Sequence, residues 1–264
     1  MKIAYKSDIH LDFWVKEKNR NKIKDFIKNI LFPKTADVLI IAGDLGHDNL
    51  QNALFLEEIK KYYGVVLVTF GNHDLYLLDE ESLNKYKTSH ARLSELKEYI
   101  RFIEGVYFLD GDIADVAGIK ILGAGGWYDF SYAVRHGISL EVIRGQWEVI
   151  MSDAKYIHPK IDPPTFSSFE KEKIRSFIYD ADIVFTHVPP LYIKCFDDVL
   201  MNSFYTFYGY DLFANNVKYW IFGHCHQAHD FYYDTVRFLS SPLGYPVGRR
   251  GEFGIRNLNI NLKG

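Results

Sequence analysis

The sequence predicts an α/β layered fold with two facing β-sheets. Strand-like and helix-like runs alternate from Lys2 to Phe70, two of these strands are apolar on both faces, and the later strands connect in a mixed order.

The alternation is a βαβαβ pattern: strands at Lys2–Ser7, Val38–Ala42 and Val65–Phe70, with helices expected over Asn19–Phe32 and Asn49–Tyr63. In the first helix Ile23, Phe26, Ile27 and Ile30 recur at i, i+3, i+4 and i+7, while Lys22, Lys24 and Lys28 fall elsewhere and read as a solvated face. Val38-Leu39-Ile40-Ile41 and Val65-Val66-Leu67-Val68 have no polar face, as strands of a parallel sheet covered on both sides require. A third helix is expected over Glu80–Ile103, followed by short strands at Val106–Leu109, Asp112–Val116 and Ile119–Leu122. From about 123 to 165 the periodicity breaks up, with one helix near Leu140–Met151 and a Pro163-Pro164 pair. Regular structure resumes with a helix over Phe166–Tyr179 and strands at Ile183–Phe185, Lys218–Phe222, Phe231–Ser240 and Gly254–Leu262. We expect residues 1–264 to form a single domain, with 123–165 as a cap or rim.

Composition sets limits on function. The chain has 264 residues, 48% hydrophobic and 25% charged, enough for a substantial core. Its net charge of −3, without a block of like charge, gives no argument for a nucleic-acid or membrane partner. Met1 leads directly into a strand, and no apolar run approaches the ~18 residues that span a bilayer, so a cytoplasmic protein is expected. Cys195 and Cys225 are too few for a disulfide framework and fit a reducing compartment, with a single bridge left open. Nothing in the sequence sets the oligomeric state.

The chemistry lies where strands end. Five strand-like runs each terminate in groups that can bind a metal: Asp8-Ile9-His10, Gly43-Asp44, Gly71-Asn72-His73-Asp74, Thr186-His187 and Gly223-His224-Cys225-His226. Singly, each is a common turn or a satisfied histidine. Together they converge, because ligand sites of α/β sheets lie beyond the carboxyl ends of the strands. Oxygen and imidazole donors suit Mn, Fe, Zn or similar divalent ions better than structural zinc sites rich in thiolate do. Glycine before Asp44, Asn72 and His224 is expected to let the chain turn sharply.

In this order the blocks resemble the signature of the calcineurin-like metallophosphoesterases, and the resemblance runs from Asp8 to His226. Ser7-Asp8-Ile9-His10-Leu11-Asp12-Phe13, Gly126-Trp127-Tyr128-Asp129-Phe130 and Ser241-Pro242-Leu243-Gly244-Tyr245-Pro246 look similar to segments of its bacterial and phage predicted phosphohydrolase branch. The resemblance implies a four-layer α/β/β/α sandwich and two divalent metal ions per chain. Asp8, His10 and His226 would bind one ion, Asn72, His187 and His224 the other, and Asp44 would bridge them. His73 would lie beside the phosphoryl group as a hydrogen-bond donor or general acid. The implied reaction is hydrolysis of a small phosphoester by hydroxide formed from a water between the ions. A nuclease of the same superfamily and a non-catalytic phosphoesterase-like interaction protein are the alternatives. The first lacks a basic groove in the composition, and the intact ligand set weighs against the second.

The sequence also departs from the family. Some relatives carry an acidic residue three positions after the bridging aspartate to orient the catalytic histidine, and here that position is His47. Asp48 or Asp74 is a candidate substitute, and Asp12 a candidate for supporting a ligand. Leu243 stands where close relatives often have arginine, so a positive phosphate contact is either missing or supplied by Arg249 or Arg250, which read first as a solvated turn. Cys225, between two ligands that face the site, is expected to point away. In the 123–165 segment Trp127 and Asp129 are the candidate substrate contacts, with Tyr128, Phe130 and Asp153 beside them; the alternatives are that the aromatics close a satellite core beneath the loop and that Asp129 and Asp153 accept hydrogen bonds from ligand residues.

Overall fold

Strands that read as apolar on both faces are buried on both faces. In β1 (Lys2–Lys6), β2 (Val38–Ala42) and β3 (Val65–Thr69), Ile3, Tyr5, Val38, Ile40 and Leu67 point one way, into a core shared with a second sheet. Ala4, Leu39, Ile41, Val66 and Val68 point the other way, onto helices. The computed structural model, which describes residues 1–248 and 251–260, repeats this in the second sheet: Ile121, Ile183, Phe185 and Ile221 face inward, Leu122, Val184 and Trp220 outward. The result is a four-layer α/β/β/α sandwich.

The first sheet has the order β11-β1-β2-β3-β4, with β4 at Val106–Phe108 and β11 at Arg256–Asn259; only β11 is antiparallel to its neighbour. The second has the order β5-β6-β7-β8-β10-β9. Its strands are β5 (Asp112–Val116), β6 (Ile119–Ala124), β7 (Ile183–Thr186), β8 (Tyr219–Phe222), β9 (His229–Tyr233) and β10 (Val236–Ser240). Strands β6, β7, β8 and β10 run parallel, so each sheet delivers several carboxyl ends to one edge.

Several elements differ from expectation for local reasons. The third helix is two, Glu80–Tyr86 and Ser89–Arg101, because Lys87 adopts a φ of 64° and Thr88 Oγ1 caps Ala91 N. Helix Arg20–Phe26 continues as a wider turn over Ile27–Leu31, and helix Asn49–Ile59 tightens over Lys60–Tyr62. Pro163-Pro164 begins a helix, Pro163–Arg175, rather than breaking one: Asp162 caps it, and a first-turn proline lacks only an N–H that would have no partner. The expected long closing strand is the β9–β10 hairpin, and Leu262 lies outside the described residues. Cys195 and Cys225 are paired in a disulfide. Among the described residues no helix is long and apolar enough to cross a membrane.

Candidate metal centre

The ends of β1, β2, β3, β7 and β8 bring Asp8, His10, Asp44, Asn72, His73, His187, His224 and His226 together. Five of these leave their strands through left-handed backbone: Asp8 (φ 52°), His10 (45°), Asp44 (57°), His224 (69°) and His226 (53°). Non-glycine residues adopt that conformation at a cost of about 1–3 kcal/mol each and keep it only where the surroundings enforce it. Here the enforcement is a lattice of backbone bonds between loops: Asp8 N to Gly43 O (3.1 Å), His10 N to Asp44 O (3.0 Å) and Gly223 N to His187 O (2.8 Å).

The glycines serve differently from expectation at two of three places. Gly43 does take a φ of 79°. Gly71 and Gly223 do not need that freedom; they supply room. A Cβ on Gly71 would lie 2.8 Å from Asp44 Cγ, and one on Gly223 2.7 Å from Asp8 Oδ2.

Four of the site residues form one compact group of donor atoms. Atoms of Asp8, His10, Asp44 and His226 all lie within 4.8 Å of one another. His10 Nε2 is 3.0 Å from His226 Nε2, and His226 Nε2 is 3.3 Å from Asp8 Oδ1. Asp44 Oδ2 is 3.6 Å from His10 Nε2 and 3.4 Å from His187 Nε2, while Asn72 Oδ1 is 3.0 Å from His187 Nε2. Neighbouring groups fix the tautomers of two imidazoles. His187 Nδ1 donates to Ala42 O (2.9 Å), turning Nε2 toward Asp44 and Asn72, and His224 Nε2 donates to Phe204 O (3.0 Å), freeing Nδ1. Among the described residues His10 Nδ1 is buried without a partner.

Protonation suits cation binding. Burial pushes His10 down and His224 to about 3, leaving both neutral. Burial would raise Asp44, but His187, His73 and His10 outweigh it and hold the carboxyl well below its usual range. Burial alone would lower His187, yet the Asp44 carboxylate wins and holds it up at about 9, so an ion binding there must displace a proton. Two imidazole nitrogens turned toward each other beside two carboxylates fit a divalent cation.

His73 stands over this centre, held by a chain the sequence did not reveal. Its Nδ1 is 2.9 Å from His47 Nε2, and His47 Nδ1 is 2.8 Å from Asp12 Oδ2. Asp12 Oδ1 also accepts from His47 N (3.0 Å). An ionised carboxylate only accepts, so His47 Nδ1 carries the proton, His47 Nε2 accepts, and His73 Nδ1 donates. That leaves His73 Nε2 facing the centre, where Tyr245 OH is 3.1 Å away. Arg92, 1% exposed, pins the two loops by donating to Gly46 O (2.8 Å) and His73 O (2.9 Å). The one sequence signal for Arg92 is its position on the apolar stripe of its helix, four residues before Leu96.

Other sequence candidates sit elsewhere. Asp48 caps helix Asn49–Ile59 through Gln51 N (2.9 Å), pairs with Lys18, and does not orient His73. Asp74 accepts from the backbone N–H groups of Asp44 (2.9 Å), Leu45 (3.1 Å) and Gly71 (2.8 Å), clamping two ligand loops. Trp127, 1% exposed, packs on Tyr128 and Phe166 inside the core, so it has no face for substrate. Asp129 is spent on Ser131 N and Tyr208 N. Cys225 borders the cavity above the centre, with its Sγ joined to Cys195. Arg249 and Arg250 lie outside the described residues. That cavity, about 350 Å³, has Asp44, Asn72, His73, His224 and His226 in its floor and Ile150, Met151, Phe196, Met201, Tyr205 and Tyr245 in its walls.

Comparison with known proteins agrees with this geometry. The family model described as "Calcineurin-like phosphoesterase" matches residues 1–228. Protein L509 of Acanthamoeba polyphaga mimivirus is 22% identical over 267 residues, covering 92% of this chain and 91% of the viral protein. The crystal structure of phosphopantetheinyl hydrolase (PptH) from Mycobacterium tuberculosis shares the fold, with a TM-score of 0.76, 17% identity, and coverage of 99% of this chain and 96% of that one. A family match over most of the chain, joined to a cluster of carboxylates and imidazoles at the strand ends, makes this protein a member of the calcineurin-like phosphoesterase family and a metal-dependent phosphoesterase.

Proposed function

We propose that the chain hydrolyses a small phosphoester at a dinuclear centre, with Asp8, His10 and His226 holding one divalent ion, Asn72, His187 and His224 the other, and Asp44 bridging. The observation that carries this is Asp44 Oδ2, placed between His10 and His187 at 3.6 and 3.4 Å. When bound, two such ions supply a water deprotonated near neutral pH and neutralise charge on the phosphoryl oxygens. Mn, Fe, Zn or similar ions suit the donors.

The chain's own residues do the rest. His73 Nε2, turned inward by His47 and Asp12, takes up a proton as substrate binds and passes it to the leaving oxygen. Tyr245 OH is placed to donate a hydrogen bond to a phosphoryl oxygen or to His73. The rim, residues 123–165 of a single domain, contributes Ile150, Met151 and Ser152 to the cavity. These apolar walls favour an ester whose leaving group is uncharged near the phosphorus.

Elemental analysis with a substrate panel tests the proposal. Wild-type protein should retain close to two ions, Asp44→Ala should lose both, and His73→Ala should keep them while turning over about 10²- to 10⁴-fold more slowly. The panel comprises p-nitrophenyl phosphate, bis-p-nitrophenyl phosphate, common nucleotides and, from the resemblance to PptH, a phosphopantetheinyl ester. Two tightly held ions in Asp44→Ala would refute the bridge, and inactivity of the metal-loaded protein on every ester would refute hydrolysis.

A further inference from the structure

Carboxamides have two ends of nearly the same shape and opposite polarity, so an asparagine serves as a metal ligand only if something fixes which end faces the ion. For Asn72 that something comes from the rim. Its Nδ2 donates to Asp153 Oδ1 (2.9 Å) and to Tyr76 OH (2.9 Å), which leaves Oδ1 toward His187. Asp153 belongs to the short helix Ser152–Tyr156 and lies 81 positions further along the chain.

Asp153 is itself held in place. Tyr76 OH also donates to its Oδ1, Tyr128 OH donates to Oδ2 (2.5 Å), and Trp147 Nε1 donates to Tyr128 OH (2.6 Å). The carboxylate is fully buried, and among the described residues no lysine, arginine or histidine forms an ion pair with it. Buried charges are ordinarily paired or placed against a metal. A cation on the far side of Asn72 is the countercharge this geometry provides for.

We infer that Asp153 is a positioning residue for the second ion: it fixes the Asn72 amide and links ion affinity to the placement of the rim. The inference rests on the two-ion reading above. It gives the buried aromatics Tyr128 and Trp147 a role in metal binding rather than in contacting substrate. It also makes the linkage reciprocal, since whatever orders the rim tightens the ion and the ion in turn orders the rim.

Titration of metal-depleted protein with Mn²⁺, followed by calorimetry, separates the two ions. In Asp153→Leu the first ion should bind as in wild type, because Asp8, His10, Asp44 and His226 are untouched, while the second weakens about 10- to 100-fold, as expected on loss of a group that orients a ligand. Asp153→Asn, which keeps an acceptor for Asn72 but loses the charge, should fall between. If Asp153→Leu does not fold, Tyr76→Phe carries the test: the ring packing stays, one partner of Nδ2 is lost, and only the second ion should weaken. Unchanged second-ion affinity in the folded variants overturns the inference, as does equal weakening of both ions. Wild-type protein that takes up one ion only overturns the two-ion reading and this inference together, whereas two ions with unchanged affinities in every variant overturn the inference alone.

Discussion

Replacing His47 by alanine is the sharpest probe of how His73 works. His47 is not among the proposed metal ligands, and it links His73 Nδ1 at 2.9 Å to Asp12 at 2.8 Å. To act as an acid His73 must first be cationic, and in that form the bond from its Nδ1–H to His47 is charge-assisted and contributes about 1.5–3 kcal/mol. At about 1.4 kcal/mol per factor of ten, His47→Ala should lower kcat/KM roughly 10- to 150-fold for an alkyl phosphoester. The same variant should lose only a few-fold with p-nitrophenyl phosphate, whose leaving group departs without a proton. KM and bound metal should hardly change. His47→Gln, whose amide oxygen reaches as far as the imidazole Nε2, should recover much of the rate. Equal losses on both leaving groups, or lost metal, would refute a role through His73.

Three further outcomes follow from the geometry. Gly71→Ala places a Cβ 2.7 Å from Asp44 N and 2.8 Å from its Cγ, so metal content should fall and stability drop by about 1–3 kcal/mol; normal metal uptake would show that the loop yields freely. Trp127→Ala should destabilise by about 3–5 kcal/mol in thermal melts while the ratio of kcat/KM between large and small substrates stays constant, and a changed ratio at unchanged Tm would return Trp127 to substrate recognition. In metal-free protein His187, about 6.5 when unfolded and about 9 when folded, binds its proton more tightly in the folded state. Its stabilising effect is full below pH 6.5 and is lost as pH rises to 9, on the order of 3 kcal/mol. Chelated protein should therefore melt progressively lower across that interval and metal-loaded protein should not; a flat profile in the chelated sample would contradict the Asp44–His187 pairing.

What could be read in advance depended on how local its cause was. Strands with apolar residues on both faces, and ligands directly at their ends, are properties of a few consecutive residues, and Val38–Ala42 followed by Gly43-Asp44 falls where expected. The break at Lys87-Thr88 was also local, but the apolar spacing of Leu93, Leu96 and Ile100 extends the helical pattern past it. The support of His73 was not local at all. His47 takes its meaning from Asp12, 35 positions earlier, and no periodicity relates the two. Trp127 stayed open between two readings for the opposite reason: an aromatic beside two glycines fits a binding loop or a packed segment equally, and here Gly125 and Gly126 make room for Phe70 and Phe207 as the segment packs inward.

The donor groups are divided between the sheets. Asp8, His10, Asp44 and Asn72 end strands of the first, His187, His224 and His226 strands of the second, so each proposed ion takes ligands from both. An ion bound there behaves as a rivet. Sliding or separating one sheet from the other would break coordination bonds before it exposed the apolar surface between Ile40 and Phe185. Amide hydrogen exchange should therefore report β1, β2, β7 and β8 opening as one cooperative unit when the rivet is in, and as two units of unequal protection once a chelator draws it out.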